Sequence, residues 1–307
     1  MKRGRLLTIG SFDGVHVGHA ELLKTTAQEA AKRQVKSLAL TFRVPPKMVL
    51  SPVAHRNLLN TPEEKEILLK RYGINEVCFI DFDKEFAQTR PFGFFKETLL
   101  RRFGAKGIVV GADFRFGTER SAGALELVHW GEEFSVPVWV ISPVRIHGQI
   151  VSSTRIRELL LAGNYRTIPS LLGHPYLIEG LVIPGRGLGR KLGFPTANLK
   201  TEPHKILPGG IFAVRGGLPR NASKPSRMWL GVCNIGSRPT VTRRREVVVE
   251  VHFLSHVGDL KGKPLVIELC RRLRSEKRFD STKELTAAIG RDVQNAREYF
   301  RLRGAKS

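Results

Sequence analysis

The pattern of apolar residues changes near residue 172, and this change separates two kinds of structure. Before it, short apolar strands alternate with amphipathic helices, which is typical of βαβ units around a parallel sheet. After it, short strands follow one another between glycine-rich turns, and one helix closes the chain. We therefore predict an α/β domain with a doubly wound parallel sheet over residues 1–172. Residues 173–307 are predicted to form a small antiparallel β-barrel with a terminal helix.

The composition is that of an ordinary globular protein except for its charge. Of the 307 residues, 41% are hydrophobic and 26% are charged, but the formal net charge is +23. A charge of this size is typical of proteins that bind nucleic acids or small polyanions. The basic residues are spread along the chain, and their longest cluster, Arg243–Arg245, falls in a predicted hairpin turn. We therefore do not expect a nucleic acid partner.

The sequence contains no segment that predicts a membrane span. Its apolar runs are shorter than the roughly 20 residues that a membrane-spanning helix needs, and the N-terminus leads directly into a strand. Cys78, Cys233 and Cys270 stand far apart, without the spacing of a metal or redox pair. We interpret them as reduced, and we predict a cytoplasmic protein without a membrane partner that is a monomer or a weak homo-oligomer.

A glycine-bearing turn, residues 10–19, joins the first strand to the first helix. This combination forms the usual anion site of an α/β sheet, because backbone amides at the helix N-terminus point at the ligand. His16 and His19 are three residues apart at the start of the helix, so both imidazoles can face one ligand. The residues predicted to bind phosphate in this turn are Gly10, Ser11, Phe12, Asp13 and Gly18, together with the two histidines.

A second phosphate-binding feature is predicted where another helix begins. Ser152, Ser153 and Thr154 place three hydroxyl groups at its N-terminus, and Arg157 follows within one turn. Helix capping accounts for the serines but leaves the nearby arginine unexplained.

The second half contains an unusual glycine-rich stretch, residues 185–198. Gly185, Gly187, Gly189 and Gly193 alternate with three basic residues, so backbone amides there can approach an anion. The stretch ends in Pro195-Thr196-Ala197-Asn198. On an extended segment Thr196 and Asn198 share a face, as ligands of a metal and a phosphate would require.

A carboxylate interrupts the alternation of one strand, residues 246–254. Val249 and Val251 fall on one face, whereas Glu250 and His252 fall on the other. Glu250 is either an exposed residue or a functional one. A carboxylate on a rigid strand suits the base that a hydroxyl needs when it attacks a phosphoryl group.

The motifs of the first half resemble a known superfamily. His-x-Gly-His at 16–19 and Ser-Ser-Thr-x-Ile-Arg at 152–157 look like nucleotidyltransferases. Residues 12–19 and 110–117 are similar to the FMN adenylyltransferase half of bacterial FAD synthetases. The resemblance implies that His16 and His19 steady the ATP phosphates and that Arg157 grips the triphosphate with the neighbouring hydroxyls. It assigns Asp113 and Phe114 to the flavin.

The second half resembles the riboflavin kinase module, through residues 185–198, 231–240, 249–252 and 273–280. The resemblance implies that Thr196 and Asn198 hold Mg²⁺ with ATP and that the glycine-rich flap closes over the phosphates. It further implies that Glu250 activates the ribityl 5′-hydroxyl and that Arg274 and Phe279 lie near the isoalloxazine.

We therefore predict a bifunctional enzyme that converts riboflavin to FMN and FMN to FAD, with ATP and Mg²⁺. The adenylyltransferase family usually has Phe-Asp-Pro-His-Pro after the second strand, whereas residues 42–46 read Phe-Arg-Val-Pro-Pro, with Arg43 in place of the acid and without the histidine. This departure leaves open a riboflavin kinase with a degenerate first domain. A flavin- or RNA-binding regulator with the same fold is a further alternative.

Overall fold

The computed structural model describes residues 4–50, 57–185, 187–219, 228–239 and 245–304. The chain forms two compact units, Met1–Ile156 and Arg157–Ser307. The division into compact units falls after Ile156. The boundary between functional domains, predicted after residue 172, stays a prediction. Thr240, Arg243 and Arg244 lie outside the described residues.

The first unit is built on five parallel strands. They are β1 (Arg5–Ile9), β2 (Lys36–Phe42), β3 (Glu76–Ile80), β4 (Ala105–Gly111) and β7 (Val138–Ile141). The short strands β5 (Arg115–Phe116) and β6 (Ala122–Gly123) form a separate hairpin between β4 and β7. The order of the parallel strands in the sheet is β3-β2-β1-β4-β7, so the chain reverses its winding between β1 and β4. The predicted doubly wound sheet is confirmed. A crevice for ligands opens at such a reversal, outside the carboxyl ends of the two central strands.

Helices connect the strands of this sheet. They are α1 (Val17–Lys32), α2 (Pro46–Leu50), α3 (Pro62–Arg71), α4 (Lys84–Ala87), α5 (Pro91–Gly93) with a π-helical continuation Phe94–Arg102, and α6 (Ala124–Glu133). Two further helices, α7 (Ser153–Leu161) and α8 (Ile168–Leu172), follow the sheet along the chain. A second short hairpin, β8 (Arg145–Ile146) and β9 (Gln149–Ile150), precedes α7. Thr61 and Glu64 form a capping box at the start of α3, as their spacing predicts.

The second unit contains a closed barrel of six antiparallel strands. They are β10 (Tyr176–Ile183), β11 (Ala197–Thr201), β12 (Gly210–Gly217), β13 (Trp229–Pro239), β14 (Arg245–Phe253) and β15 (Pro264–Arg274), with the short helix α9 (Leu188–Lys191) between β10 and β11. Their order is β10-β11-β14-β13-β12-β15, and β15 pairs with β10 to close the ring. The predicted barrel is confirmed. The apolar pattern does not predict β11, because Leu199 is its one large apolar residue.

Side chains alternate strictly across the barrel wall near its centre. Val249 and Val251 on β14, and Cys233 and Ile235 on β13, are fully buried. Glu250 therefore faces away from the barrel interior, as the alternation predicts. The terminal helix, α10 (Thr282–Arg301), packs its apolar face on the outside of the barrel.

None of the helices in the described part of the chain combines the length and the apolar composition that a membrane crossing requires.

Candidate functional sites

The turn after β1 holds two bulky residues in an unfavourable backbone conformation. Phe12 and Val15 have φ of 45° and 40°, on either side of Gly14 at 87°. Residues with a Cβ rarely adopt positive φ, and a β-branched residue does so least readily. Both side chains are fully buried, so packing holds the turn in place. Strained turns of this kind concentrate at functional sites, and this one lies in the crevice of the sheet.

Hydrogen bonds to neighbouring segments fix the same turn. Asp13 is buried, and its Oδ1 accepts from the amides of Leu59 and Asn60 at 3.0 and 3.2 Å. The backbone oxygen of Asp13 accepts from the Ser153 hydroxyl at 2.7 Å. Asp13 thus ties the turn to the segment before α3 and to the start of α7. A direct contact between its carboxylate and a phosphate stays a prediction.

The ends of β1 and β2 are joined at the same point. The Gly10 amide donates to the Leu40 oxygen at 3.1 Å, and the Ser11 oxygen accepts from the Thr41 hydroxyl at 3.1 Å. These bonds place the start of the turn beside the segment that begins at Phe42, where the sequence departs from the family pattern.

The two histidines stack on each other at the N-terminus of α1. Their ring centroids are 3.7 Å apart with an interplanar angle of 18°, and Phe12 packs its edge on His19 at 5.3 Å. Gly18 makes room for them, because a Cβ there would lie 3.1 Å from His16 Nδ1. The predicted convergence of both imidazoles is therefore found in the structure.

His19 is held in its neutral form. Burial, together with nearby His16 and Lys65, holds the pKa of His19 well below its ordinary value of 6.5. Its Nδ1 is buried and has no hydrogen-bond partner among the described residues. A neutral imidazole still has one N–H group with which to donate to a phosphate oxygen.

Lys65 is a buried cation that the sequence analysis does not single out. It is 1% exposed, and its Nζ donates to the Phe42 backbone oxygen at 2.7 Å. Burial lowers its pKa to about 8, although Asp13 acts in the opposite direction. Its position in α3 could have indicated its burial, because Lys65 lies on the same helix face as the buried Leu68 and Leu69. A lysine where the helical period requires an apolar residue has a structural or functional reason to be there.

The other predicted residues of the first half lie on separate elements. Ser152 caps α7 by accepting from the Arg155 amide at 3.3 Å, whereas Ser153 bonds Asp13. Thr154 and Arg157 follow within α7. In the loop after β4, Asp113 is exposed and Phe114 stacks on Phe116 with centroids 5.4 Å apart. Asp113 and Phe114 thus follow β4, the strand beside β1.

In the second unit, strand register sets three polar residues side by side. Asn198 on β11 pairs with Glu250 on β14, and Glu250 pairs with Asn234 on β13. Directly opposed residues of an antiparallel pair share a face, with Cβ atoms about 4.5–5.5 Å apart. The row therefore places an amide on each side of the predicted base. Sequence reasoning names the first two and misses Asn234 as a site residue.

The glycines of the flap allow it to lie against this row. A Cβ at Gly185 would overlap the Asn198 carboxamide, and a Cβ at Gly189 would overlap the Phe194 carbonyl and lie 3.2 Å from Thr196 Oγ1. Gly187 and Gly193 have φ of 74° and 84°, which favour glycine. Two glycines thus provide space and two provide backbone freedom.

His252 anchors the end of the flap. It lies two residues from Glu250 on the same face of β14, and its Nδ1 is 2.9 Å from the Pro195 oxygen. Phe194 packs against the imidazole edge-on at 5.5 Å. Thr196 is exposed beside this anchor, whereas Asn198 is buried. The hydroxyl and carboxamide oxygens of these two residues are the hard donors that Mg²⁺ prefers.

The predicted flavin residues Arg274 and Phe279 lie together, but Arg274 is also part of an ion pair. Its guanidinium donates to Asp292 of α10, from Nε to Oδ1 at 2.9 Å and from Nη2 to Oδ2 at 2.7 Å. The guanidinium carbon lies 5.7 Å from the centre of the Phe279 ring. Asp292 is 4% exposed, so its carboxylate is held by the surrounding side chains. The hydrogen bonds to it therefore fix the orientation of the Arg274 guanidinium.

Two separate sets of predicted phosphate-binding residues lie on a nucleotidyltransferase-like sheet and on a six-stranded barrel, as in a two-domain phosphotransferase. Residues 1–155 match the FAD synthetase family, and residues 172–300 match the riboflavin kinase family. The chain therefore belongs to the family of bifunctional riboflavin kinases/FMN adenylyltransferases.

Individual relatives match nearly the whole chain. The bifunctional riboflavin kinase/FMN adenylyltransferase of Escherichia coli (strain K12) is 37% identical and covers 98% of this chain and 94% of its own length. The bifunctional riboflavin kinase/FMN adenylyltransferase of Haemophilus influenzae is 32% identical, and the match covers 97% of this chain and 95% of the relative. A crystal structure described as a macrolide-efflux protein from Streptococcus pneumoniae is 30% identical, covers 97% and 95%, and has a TM-score of 0.82.

The environment of His19 predicts an unusual titration. We expect its imidazole to stay neutral at about pH 6, where an unperturbed histidine is largely protonated. Because the unfolded chain then binds a proton that the folded domain does not, the free energy of unfolding falls as the pH drops below about 6.5. Histidine side-chain NMR over a pH series measures the titration.

The Lys65→Met variant serves as the comparison. Removal of the buried cation should move the His19 pKa upward, toward 6.5, because one of the charges that disfavour the imidazolium is gone. A His19 signal that titrates near 6.5 in the unmodified protein would contradict this description of the site.

Proposed function

We propose that this chain makes FAD from riboflavin in two ATP-dependent steps. The barrel phosphorylates riboflavin to FMN, and the parallel-sheet domain adenylylates FMN to FAD and releases pyrophosphate. The row of Asn198 and Glu250 beside the glycine flap is the observation that carries the proposal. Full-length relatives named for both activities favour the bifunctional enzyme over a kinase with a degenerate first domain.

In the kinase step, Glu250 acts as the general base. Its carboxylate takes the proton of the riboflavin 5′-hydroxyl as the oxygen forms a bond to the γ-phosphorus of ATP. The bond from the γ-phosphorus to the bridging oxygen breaks, and ADP leaves. The β14 strand fixes the carboxylate on both sides through its pairing with β11 and β13. We assign the flap amides to the ATP phosphates, and the contact of His252 with the Pro195 oxygen holds the end of the flap beside β14.

We assign Thr196 and Asn198 as protein ligands of Mg²⁺. When bound there, the ion would neutralise the charge of the ATP phosphates. The support is the chemistry of the two oxygen donors and the close approach of Gly185 and Gly189 to them. Arg274 and Phe279 are assigned to the isoalloxazine.

The adenylyl transfer needs no general base, because the phosphate of FMN is already ionised. One of its oxygens attacks the α-phosphorus of ATP, and the bond to the β-phosphate breaks as pyrophosphate leaves. We assign His16, His19 and the turn residues to the ATP phosphates, as donors of hydrogen bonds. The hydroxyls of Ser152–Thr154 and the guanidinium of Arg157 are assigned to the triphosphate, and Asp113 and Phe114 to the flavin.

We assign the functional domains to residues 1–172 and 173–307. We further infer that the protein acts in the cytoplasm, as a monomer or a weak homo-oligomer. Its net charge of +23 suits substrates that all carry, or acquire, phosphate groups.

Exchange of single residues should separate the two activities. Glu250→Gln should lower the rate of FMN formation about 100- to 10,000-fold, because an amide cannot accept the proton. His19→Gln should lower the rate of FAD formation about 100- to 1,000-fold, because a positioned phosphate donor is lost. Chromatography of flavins after incubation with ATP and Mg²⁺ measures both steps.

Each variant is the control for the other. Glu250→Gln should still adenylylate supplied FMN, and His19→Gln should still produce FMN from riboflavin. Protein that forms FMN but never FAD would favour the alternative of a first domain disabled by the departure at residues 42–46. Protein that forms no FMN would refute the proposal.

The metal assignment predicts a change in Mg²⁺ dependence. Thr196→Val removes one oxygen ligand with little change in shape, so the half-saturating Mg²⁺ concentration of the kinase step should rise about tenfold. Thr201→Val, the same change at the far end of β11, is the matched control and should leave that concentration unchanged. An unchanged Mg²⁺ dependence in Thr196→Val would remove this residue from the metal site.

The net charge also predicts how RNA binding by this protein depends on salt concentration. If the basic surface serves no specific nucleic acid site, binding of a labelled RNA should disappear as salt rises to about 0.2 M, because it depends on counterion release. Fluorescence anisotropy over a salt series measures this. RNA binding that persists at that salt concentration would favour the regulator.

A further inference from the structure

Asn234 continues the polar row of the kinase site beyond Glu250. It pairs with Glu250 on one side, and on the other side it pairs with Ile211 of β12, which in turn pairs with Arg274 of β15. Arg274 lies on the opposite side of the six-stranded ring from Glu250, and Ile211 is buried under α10. Asn234 is therefore the residue of this row that lies next to the proposed base, before the row passes under α10.

The side chain of Asn234 has unused hydrogen-bonding capacity. Its Oδ1 is buried and has no hydrogen-bond partner among the described residues. A buried carbonyl oxygen without a donor is unfavourable, and such groups in folded proteins call for an explanation. Because Cys233 and Ile235 point into the barrel, Asn234 points to the outer face that carries Glu250. A ligand on that face would supply the missing donor.

The segment after β15 approaches the same place. A Cβ at Gly236 would overlap the carboxylate of Glu276, so the Glu276 side chain lies directly against β13. Gly236 is two residues from Asn234 on the same face of the strand. Glu276, three residues before Phe279, thus lies on the face of β13 that carries Asn234.

We propose that Asn234 binds the acceptor substrate, and that its Oδ1 accepts a hydrogen bond from a ribityl hydroxyl between the ring and the 5′ end. The five-carbon chain then runs past Asn234, with its 5′-hydroxyl at Glu250 and its ring toward the segment that carries Glu276 and Phe279. This inference rests on the proposed role of Glu250. It makes Asn234 a determinant of specificity for polyhydroxylated side chains of the flavin.

Riboflavin analogues test this contact directly. The kinase activities of the unmodified protein and of Asn234→Ala are compared on riboflavin and on its 2′-, 3′- and 4′-deoxy analogues. For riboflavin, kcat/KM should fall about 10- to 100-fold in Asn234→Ala, because the hydroxyl loses its acceptor. In the unmodified protein, one deoxy analogue should show a similar loss. Asn234→Ala should show no further loss with that analogue, since both changes remove the same hydrogen bond.

Equal proportional losses for every analogue in both proteins would overturn the proposal, as would unchanged kcat/KM for riboflavin in Asn234→Ala. The ratio of two substrates on one preparation does not depend on the folded fraction, and Asn234→Ser provides a second variant if the alanine variant is insoluble. Asn164→Ala, the same change at an exposed asparagine, should leave all ratios unchanged. Active Glu250→Gln would refute the proposed base itself, which separates that failure from failure of the Asn234 contact.

Discussion

The register of a closed barrel fixes the geometry of the kinase site. Each strand is hydrogen-bonded on both sides, so no strand can shift without breaking two sets of pairs. The pairing of Asn198 with Glu250, and of Glu250 with Asn234, therefore follows from the barrel as a whole. The buried valines on either side of Glu250 hold its side chain outward. The position of Glu250, the proposed base, is thus set by main-chain hydrogen bonds and apolar packing, before any substrate binds.

The first domain positions its groups by a different means. Its turn between β1 and α1 adopts a backbone conformation that Phe12 and Val15 disfavour, and their complete burial offsets the strain. Around it, Asp13 bonds backbone amides and Lys65 bonds the end of β2. The proposed phosphate site thus combines a neutral histidine with a buried cation. Such a site can donate hydrogen bonds to phosphates without depending on protonation of the imidazole.

Much of the fold could be predicted because its signals are local. In the first half, apolar strand patterns alternate with helical ones and indicate the α/β sheet, whereas successive strand patterns in the second half indicate the barrel. The spacing of Thr61 and Glu64 likewise predicts the start of α3. The phosphate-binding motifs are local as well, since each is a continuous stretch. The two-residue period of its strand predicts that Glu250 faces away from the barrel interior, whereas its role as a base rests on the resemblance to riboflavin kinases.

The features that were missed depend on contacts between distant residues. Lys65 is charged, and a periodic pattern treats such a residue as exposed, so its burial is visible only once β2 and α1 surround it. Asn234 lies beside Glu250 through the register of β13 with β14, which no local pattern reveals. The pairing of Arg274 with Asp292 depends on where the terminal helix packs. Positive φ at Phe12 and Val15 has no signature in residue type.

The closed barrel also determines where a chain of this kind can change its length. Removal of one residue from β14 ahead of Glu250 would turn that side chain into the apolar interior and bring Val249 or Val251 outward, since successive residues alternate between faces. The barrel has no free edge at which such a slip could end. Insertions and deletions are therefore confined to the connections between strands, such as residues 254–263 between β14 and β15. The same hydrogen bonds that align the site thus divide the sequence into segments of fixed length and segments of variable length.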